Sequence, residues 1–315
     1  MTLAIRCKNV YFNYRGITVI KGVSFDVGEG EIFGLLGPNG AGKTSILSML
    51  AGIKRPSSGV ILLNGIDRTT HQEEIKRVLG YVPQSLAFYP TLTALENLQF
   101  FCGMYQIFGD FAKKRIQDVL EVVGLSDRAN HIVETYSGGM KRRLNIAIGL
   151  LHNPKILLLD EPTVGVDPHS RNSIFECIEQ LSQTGTTVIY TTHYMEEIER
   201  LCKNVAILDQ GHIIAMDTPQ NLCSSMGGSS FYISIQGENK RTLLDILSGM
   251  DSVFKVTVKD SLFEVVTSEP QKILSTILNA ADKLSIQIST LNISKPSLET
   301  VFLNLTGKGL RDQEE

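Results

Sequence analysis

The chain has 315 residues, 43% hydrophobic and 20% charged, with a formal net charge of −3; it can bury a large core, has room for two domains, and lacks the basic excess of a nucleic-acid-binding surface. No stretch approaches the roughly 18 uninterrupted apolar residues of a membrane span, and the opening "MTLAIRCKNV" has no signal-peptide core. Cys7, Cys102, Cys177, Cys202 and Cys223 form no C-x-x-C pair, so they read as reduced cytosolic thiols rather than disulfides or metal ligands.

Residues 4–67 alternate short strands with turns ("AIRCKNVYFNY", "GVSFDV", "SGVILLNGID"), which predicts a β-rich edge beside an α/β core. Within them "EIFGLL" reads as a buried strand and "GKTSILSMLAGI" as a helix ended by Gly52. Between the two lies the pattern G-x-x-x-x-G-K-T: Gly37, Pro38, Asn39, Gly40, Ala41, Gly42, Lys43 and Thr44, followed by Ser45. Glycines there let a phosphate approach the backbone and let successive N–H groups point inward, which a Cβ would obstruct. Lys43 is placed to reach β- and γ-phosphates, and Thr44 to offer a hydroxyl to Mg²⁺ at a helix start whose dipole favours anions. The competing reading is a plain strand-to-helix turn.

Residues 90–154 change to helical character: "KKRIQDVLEVVGL" sets Ile116, Val119, Leu120 and Val123 on one face before Gly124 stops it, so a helical insertion over about 88–154 is expected. Inside it, Ser137 caps a helix whose first turn holds Gly138, Gly139 and Met140. Two poor helix formers leave bare N–H groups, a second anion site. "KILLLD" is a buried strand ending in Asp160, with Glu161 next. Alternation is expected to turn the two carboxylates to opposite sides, one to hold Mg²⁺ through water, the other to face an attacking water. A helix from Pro168 to about Gln183, the strand "TTVIYTT", a short helix at "MEEIERLC" and a hairpin turned at Gln210 and Gly211 complete a core ending near Asn221. After the small-residue linker "SSMGGSS" the order is βαββαβ, a ferredoxin-like split unit with a turn around Asp260, and a last helix placing Leu298, Val301, Phe302 and Leu305 on one face.

With the glycine loop, the "LLLDEP" strand and "YSGGM" in one chain, residues 3–220 resemble the nucleotide-binding subunit of an ATP-binding cassette (ABC) transporter. The resemblance implies a P-loop NTPase core with an antiparallel β edge and the helical insertion (1–220), plus the small α+β domain (221–315) as an accessory or regulatory module. It implies an ATPase using ATP and Mg²⁺, with Lys43, Gln84, Glu161 and His193 catalytic, and Thr44, Gln84 and Asp160 about the metal. Ser137, Gly138, Gly139 and Met140 become the signature that completes a partner's ATP site in a head-to-tail dimer, where the family's commonest form reads Leu-Ser-Gly-Gly-Gln. Tyr14 falls where the family stacks an aromatic on adenine, with Tyr11 and Phe12 as alternatives. Gln84 matches the Q-loop, Asp167 the D-loop and also an ordinary helix cap before Pro168, and His193 the switch histidine. Having no span, such a subunit requires separate transmembrane permease subunits, met through Phe88, Tyr89 and Leu92, and a second ATPase subunit. No nucleic acid is expected, and the location is cytoplasmic, peripheral on the inner face of the membrane. The motif form and the tail "KPSLETVFLNLTGKGLR" resemble exporter ATPases of the drug-resistance, polysaccharide and sodium-efflux group. An importer ATPase and a soluble non-transport ABC ATPase are the alternatives, and the transported substrate is not legible.

Overall fold

A computed structural model describes residues 2–225, 229–236, 240–259, 262–267, 269–284, 286–294 and 297–306. The chain divides between Thr218 and Pro219, slightly ahead of the expected boundary, because Pro219 opens a helix that belongs to the second unit. Asn221 lies inside that helix, and residues 226–228 of the expected linker and the turn at 260–261 fall outside the described residues.

In the first unit β1 (Leu3–Tyr14) and β2 (Ile17–Gly28) form an antiparallel hairpin. β3 (Ile32–Leu36), every residue of it buried, runs into the glycine loop and α1 (Lys43–Leu50). β4 (Ser58–Leu63) and β5 (Ile66–Asp67) complete the antiparallel edge sheet in the order β2-β1-β4-β5. Next come α2 (Gln72–Val78) and β6 (Leu79–Val82), neither of which the sequence pattern announces. The helical insertion holds α3 (Ala94–Met104), α4 (Gly109–Val122) and α5 (Gly138–Leu150). Thr93 and Glu96 form a reciprocal capping box on α3, and Ile116, Val119, Leu120 and Val123 are buried as their spacing requires. β7 (Ile156–Asp160), α6 (Pro168–Gln183), β8 (Thr187–Thr192), α7 (Met195–Leu201), β9 (Asn204–Asp209) and β10 (His212–Asp217) then return to alternation.

The second sheet has the order β10-β9-β3-β8-β7-β6 and is parallel except for β10. β3, β7 and β8 are buried on both faces, as a parallel sheet covered by helices demands. Their order puts the carboxyl ends of β3, β8 and β7 side by side, so residues far apart in sequence converge at one sheet edge.

The second unit contains α8 (Pro219–Ser225), β11 (Ser229–Gln236), α9 (Lys240–Ser248), β12 (Val253–Lys259), β13 (Leu262–Thr267), α10 (Pro270–Leu284), β14 (Gln287–Ser294) and α11 (Leu298–Thr306). Its all-antiparallel order β12-β13-β11-β14 is the split βαββαβ arrangement. A separate core forms from Phe231, Ile233, Phe263 and Val265 against Leu243, Leu247, Ile273 and Ile277. Leu298, Val301 and Phe302 are buried, but Leu305 is 40% exposed: it sits in the last turn of α11, and the expected apolar stripe ends one turn early.

Candidate nucleotide site

The glycine loop takes the conformation its glycines permit. Gly40 and Gly42 have φ of 80° and 109°, and a Cβ at Gly37 would overlap the carbonyl oxygen of Leu208 on β9. Ala41 donates to Pro38 O at 3.2 Å, and Gly211 donates to Ala41 O at 3.1 Å, so the β9–β10 turn braces the loop. Lys43 opens α1 and is buried; its Nζ donates to Gly37 O (2.7 Å) and Pro38 O (3.1 Å) and pairs with Glu161 Oε1 at 3.1 Å. Burial pushes its ammonium below the ordinary lysine range, while Glu161 and Asp160 oppose the shift.

Asp160 ends β7 with its carboxylate buried. Oδ1 accepts from Thr44 Oγ1 (3.2 Å) and Thr191 Oγ1 (2.9 Å). Burial raises Asp160 above the ordinary carboxylate range, against those two hydrogen bonds and Lys43. The hydroxyl of Thr44 and this carboxylate are hard oxygen donors side by side, a set that suits Mg²⁺, which keeps waters and phosphate oxygens as its other ligands. Among the described residues no cluster of three or more His, Cys, Asp or Glu forms an all-protein metal cage.

Glu161 has a different set of partners from Asp160, and strand alternation is not the cause. It lies one residue past β7 with φ of 46°, a left-handed backbone that non-glycine residues seldom adopt, fixed by donation of its N–H to Thr191 Oγ1 at 3.0 Å. The turn aims its side chain at Lys43, at Gln84, whose Nε2 donates to Oε2 at 3.2 Å, and at His193, whose Nδ1 lies 3.5 Å from Oε1. Burial acts to raise Glu161, yet His193 and Lys43 outweigh it and hold the carboxyl below its ordinary value. Gln84 thus meets Glu161 rather than the Thr44–Asp160 pair.

The remaining residues lie apart from this cluster. Ser137 caps α5, accepting from Met140 N at 3.3 Å. Asp167 caps α6, accepting from Ser170 N at 3.0 Å, and that hydrogen bond holds its carboxyl low. The two helix starts meet: a Cβ at Gly139 would overlap Ser170. No hydrogen bond or ion pair joins residues 137–140 to Lys43, Asp160 or Glu161 within this chain. Tyr14, at the tip of the β1–β2 hairpin, is half exposed with Arg15 and Lys54 within 6 Å of its ring, whereas Phe12 is core. Tyr89 is exposed, packs edge-on against Phe100 with ring centroids 5.0 Å apart, and is held through its backbone by buried Asn97.

Sequence reasoning missed Thr191, which holds the Asp160 carboxylate and the Glu161 backbone, and Asn145, buried on α5; Arg142, which in sequence reads with Lys141 and Arg143 as part of a basic run behind the anion site, is instead buried and donates to Gln84 O. A threonine at the end of a fully buried strand, two residues before His193, was the available signal for Thr191.

A phosphate loop opening a helix, a carboxylate pair at the end of β7, two strands away in the same sheet, and a second bare helix start define a P-loop nucleotide-binding subunit. The ABC transporter family model matches residues 20–164. The linearmycin resistance ATP-binding protein LnrL of Bacillus subtilis is 45% identical, over 98% of this chain and all of that protein. The Nod factor export ATP-binding protein I of Ralstonia nicotianae is 35% identical, over 94% of this chain and 91% of that protein. The ATP-binding cassette MJ0796, solved as a dimer in a post-hydrolysis state with ADP and Pi, is 27% identical with a TM-score of 0.61, covering 68% of this chain and 98% of that one. The chain belongs to the ABC transporter ATP-binding family.

Proposed function

We propose that this ATP-binding subunit hydrolyses ATP and that ATP-driven, head-to-tail dimerisation of two such chains powers export through separate membrane subunits. The observation that carries the reading is the Glu161 carboxylate, buried and ionised among Lys43, Gln84 and His193. In this assignment the backbone N–H groups of Gly37, Asn39, Gly40 and Gly42 bind the phosphates in a loop whose turn Pro38 stiffens and the Ala41 N–H closes on Pro38 O, Ser45 adds its hydroxyl, and Lys43 turns from Glu161 to the β- and γ-phosphates. Thr44 and Asp160 would hold Mg²⁺, with Gln84 nearby; when bound, the ion neutralises charge on the transferring phosphoryl group. Once free of Lys43, Glu161 accepts a proton from the attacking water, Gln84 orients that water, and His193 contacts the γ-phosphate. Tyr14 stacks on adenine. The bare N–H groups after Ser137 serve the nucleotide of the partner subunit together with Asp167, an arrangement consistent with their lack of any link to Lys43 and Glu161 in their own chain.

Export is favoured because the relatives carry resistance and export in their names. No helix among the described residues is long and apolar enough to cross a membrane, so transport on this reading needs permease subunits. They would dock beside the Q-loop, at Phe88, Tyr89 and Leu92, which places the subunit peripherally on the inner face of the membrane. The test is complementation. Ser137→Arg and Lys43→Ala chains should each be inactive alone, the first still binding ATP as a monomer, and should recover one working site when mixed. No recovery on mixing would sink the trans assignment.

A further inference from the structure

Two buried polar side chains of α5 face the segment that carries Gln84. Arg142 Nη1 donates to Gln84 O at 2.6 Å and lies 3.5 Å from Pro83 O. One turn on, Asn145 donates through Nδ2 to Pro83 O (3.2 Å) and Ser85 O (3.5 Å), and its Oδ1 accepts from Ala87 N at 3.0 Å. The two residues are 7% and 3% exposed. Residues 83–87 connect β6 to the helical insertion and have no strand partner there, so their backbone groups need side-chain partners, and α5 supplies them.

Burying a guanidinium is costly, and an apolar side chain would pack this helix without that cost. Its presence calls for a role: an ionised donor to neutral carbonyls makes a stronger hydrogen bond than a neutral one, and the charge also sits in the field of Asp160 and Glu161. We propose that Arg142, seconded by Asn145, is a positioning residue that fixes the backbone of Gln84 so that its carboxamide meets Glu161, and so ties the helix offered to the partner's nucleotide to the hydrolytic residues of its own chain. This rests on the trans reading of residues 137–140.

The mixed dimer tests it. Pairing a Ser137→Arg chain with a Lys43→Ala chain leaves one working site, built from the Gln84 and Glu161 of the first chain and the signature of the second. Arg142→Met is then placed on either chain. On the first it should lower kcat about tenfold or more, because displacing a water-orienting group by about 1 Å is enough for that, with KM for ATP unchanged. On the second chain the rate should stay within about twofold of the control, since the Q-loop it disturbs serves no working site. Equal losses on both chains, a larger loss on the second, or no loss on either overturns the proposal. Failure of the control pair to recover activity would instead overturn the trans reading, so the two failures are told apart. Asn145→Ala repeats the comparison with a milder change should Arg142→Met fold poorly. In a Gln84→Ala background, Arg142→Met should cost little further rate, because both changes act through one group; additive losses would make Arg142 merely structural.

Discussion

Glu161→Gln separates the resting role of the carboxylate from its proposed catalytic one. In the structure Glu161 is the counter-ion of Lys43 at 3.1 Å, both side chains less than a tenth exposed. At an effective dielectric constant of about 20, that separation gives about 5 kcal/mol of gross attraction, before desolvation is counted. Removing one partner of a buried pair costs about 3–5 kcal/mol. Here Lys43 keeps the field of Asp160 and its hydrogen bonds to Gly37 O and Pro38 O, so the lower end applies, about 3 kcal/mol. For a unit of this size that is a fall in Tm of about 6 °C or more.

ATP should reverse the effect. Its phosphates become the counter-charge of Lys43, so saturating ATP should raise the melting temperature of the variant by more than that of wild type. Hydrolysis should be slower by about 10² or more, because general-base assistance is lost while phosphate binding stays. The stability difference is pH-dependent with a defined sign. A carboxyl held below its unfolded value of 4.5 contributes fully above that pH and loses its contribution as the pH falls through the folded value, so variant and wild type should converge in acid. Thermal melts with and without ATP across this range, with single-turnover hydrolysis at neutral pH, read all three effects. An ATP response no larger than wild type's would refute the exchange of Lys43 from carboxylate to phosphate, and wild-type turnover would remove Glu161 from its assigned role.

Asp160→Asn should behave oppositely when nucleotide-free: the folded chain holds the Asp160 proton more tightly than the unfolded value of 3.8, stability therefore falls as pH rises through that window, and removing a charge that is costly at neutral pH should raise Tm while abolishing Mg²⁺-dependent hydrolysis; a lower Tm would contradict this. His193→Ala should lose hydrolysis with ATP still bound, and equal weakening of ADP and ATP binding would point to a folding role instead. Gly139→Ala should cost about 1–3 kcal/mol by forcing the new methyl into Ser170, with Ser170→Gly restoring most of it in a chemical-denaturation experiment; no recovery would mean that the clash lies elsewhere. Ending the chain at Thr218 should leave ATP affinity unchanged, as measured by fluorescent-nucleotide titration, because residues 219–306 supply none of the site residues; loss of binding would make the tail part of the catalytic core.

How much of the molecule was legible in its sequence depends on how local each signal is. The phosphate loop, the caps at Ser137 and Asp167, and the fully buried strands β3 and β7 are short-range patterns, and each stands where its pattern puts it. α2 and β6 escaped because α2 is seven residues long with only Ile75 buried and no capping side chain, and because β6 has four residues. The site itself is not local. Lys43, Gln84, Glu161 and His193 meet only because parallel pairing sets β3 beside β8, β8 beside β7 and β7 beside β6, and the order of strands joined by long crossovers has no local signature. The different partners of the two carboxylates show the limit of pattern reasoning. Alternation along a strand does not operate at Glu161, which lies beyond β7 in a left-handed turn whose N–H the Thr191 hydroxyl accepts. That threonine also donates to the Asp160 carboxylate, so one hydroxyl on the neighbouring strand holds one charged side chain and the backbone that carries the next, a relation that only the paired sheet can impose.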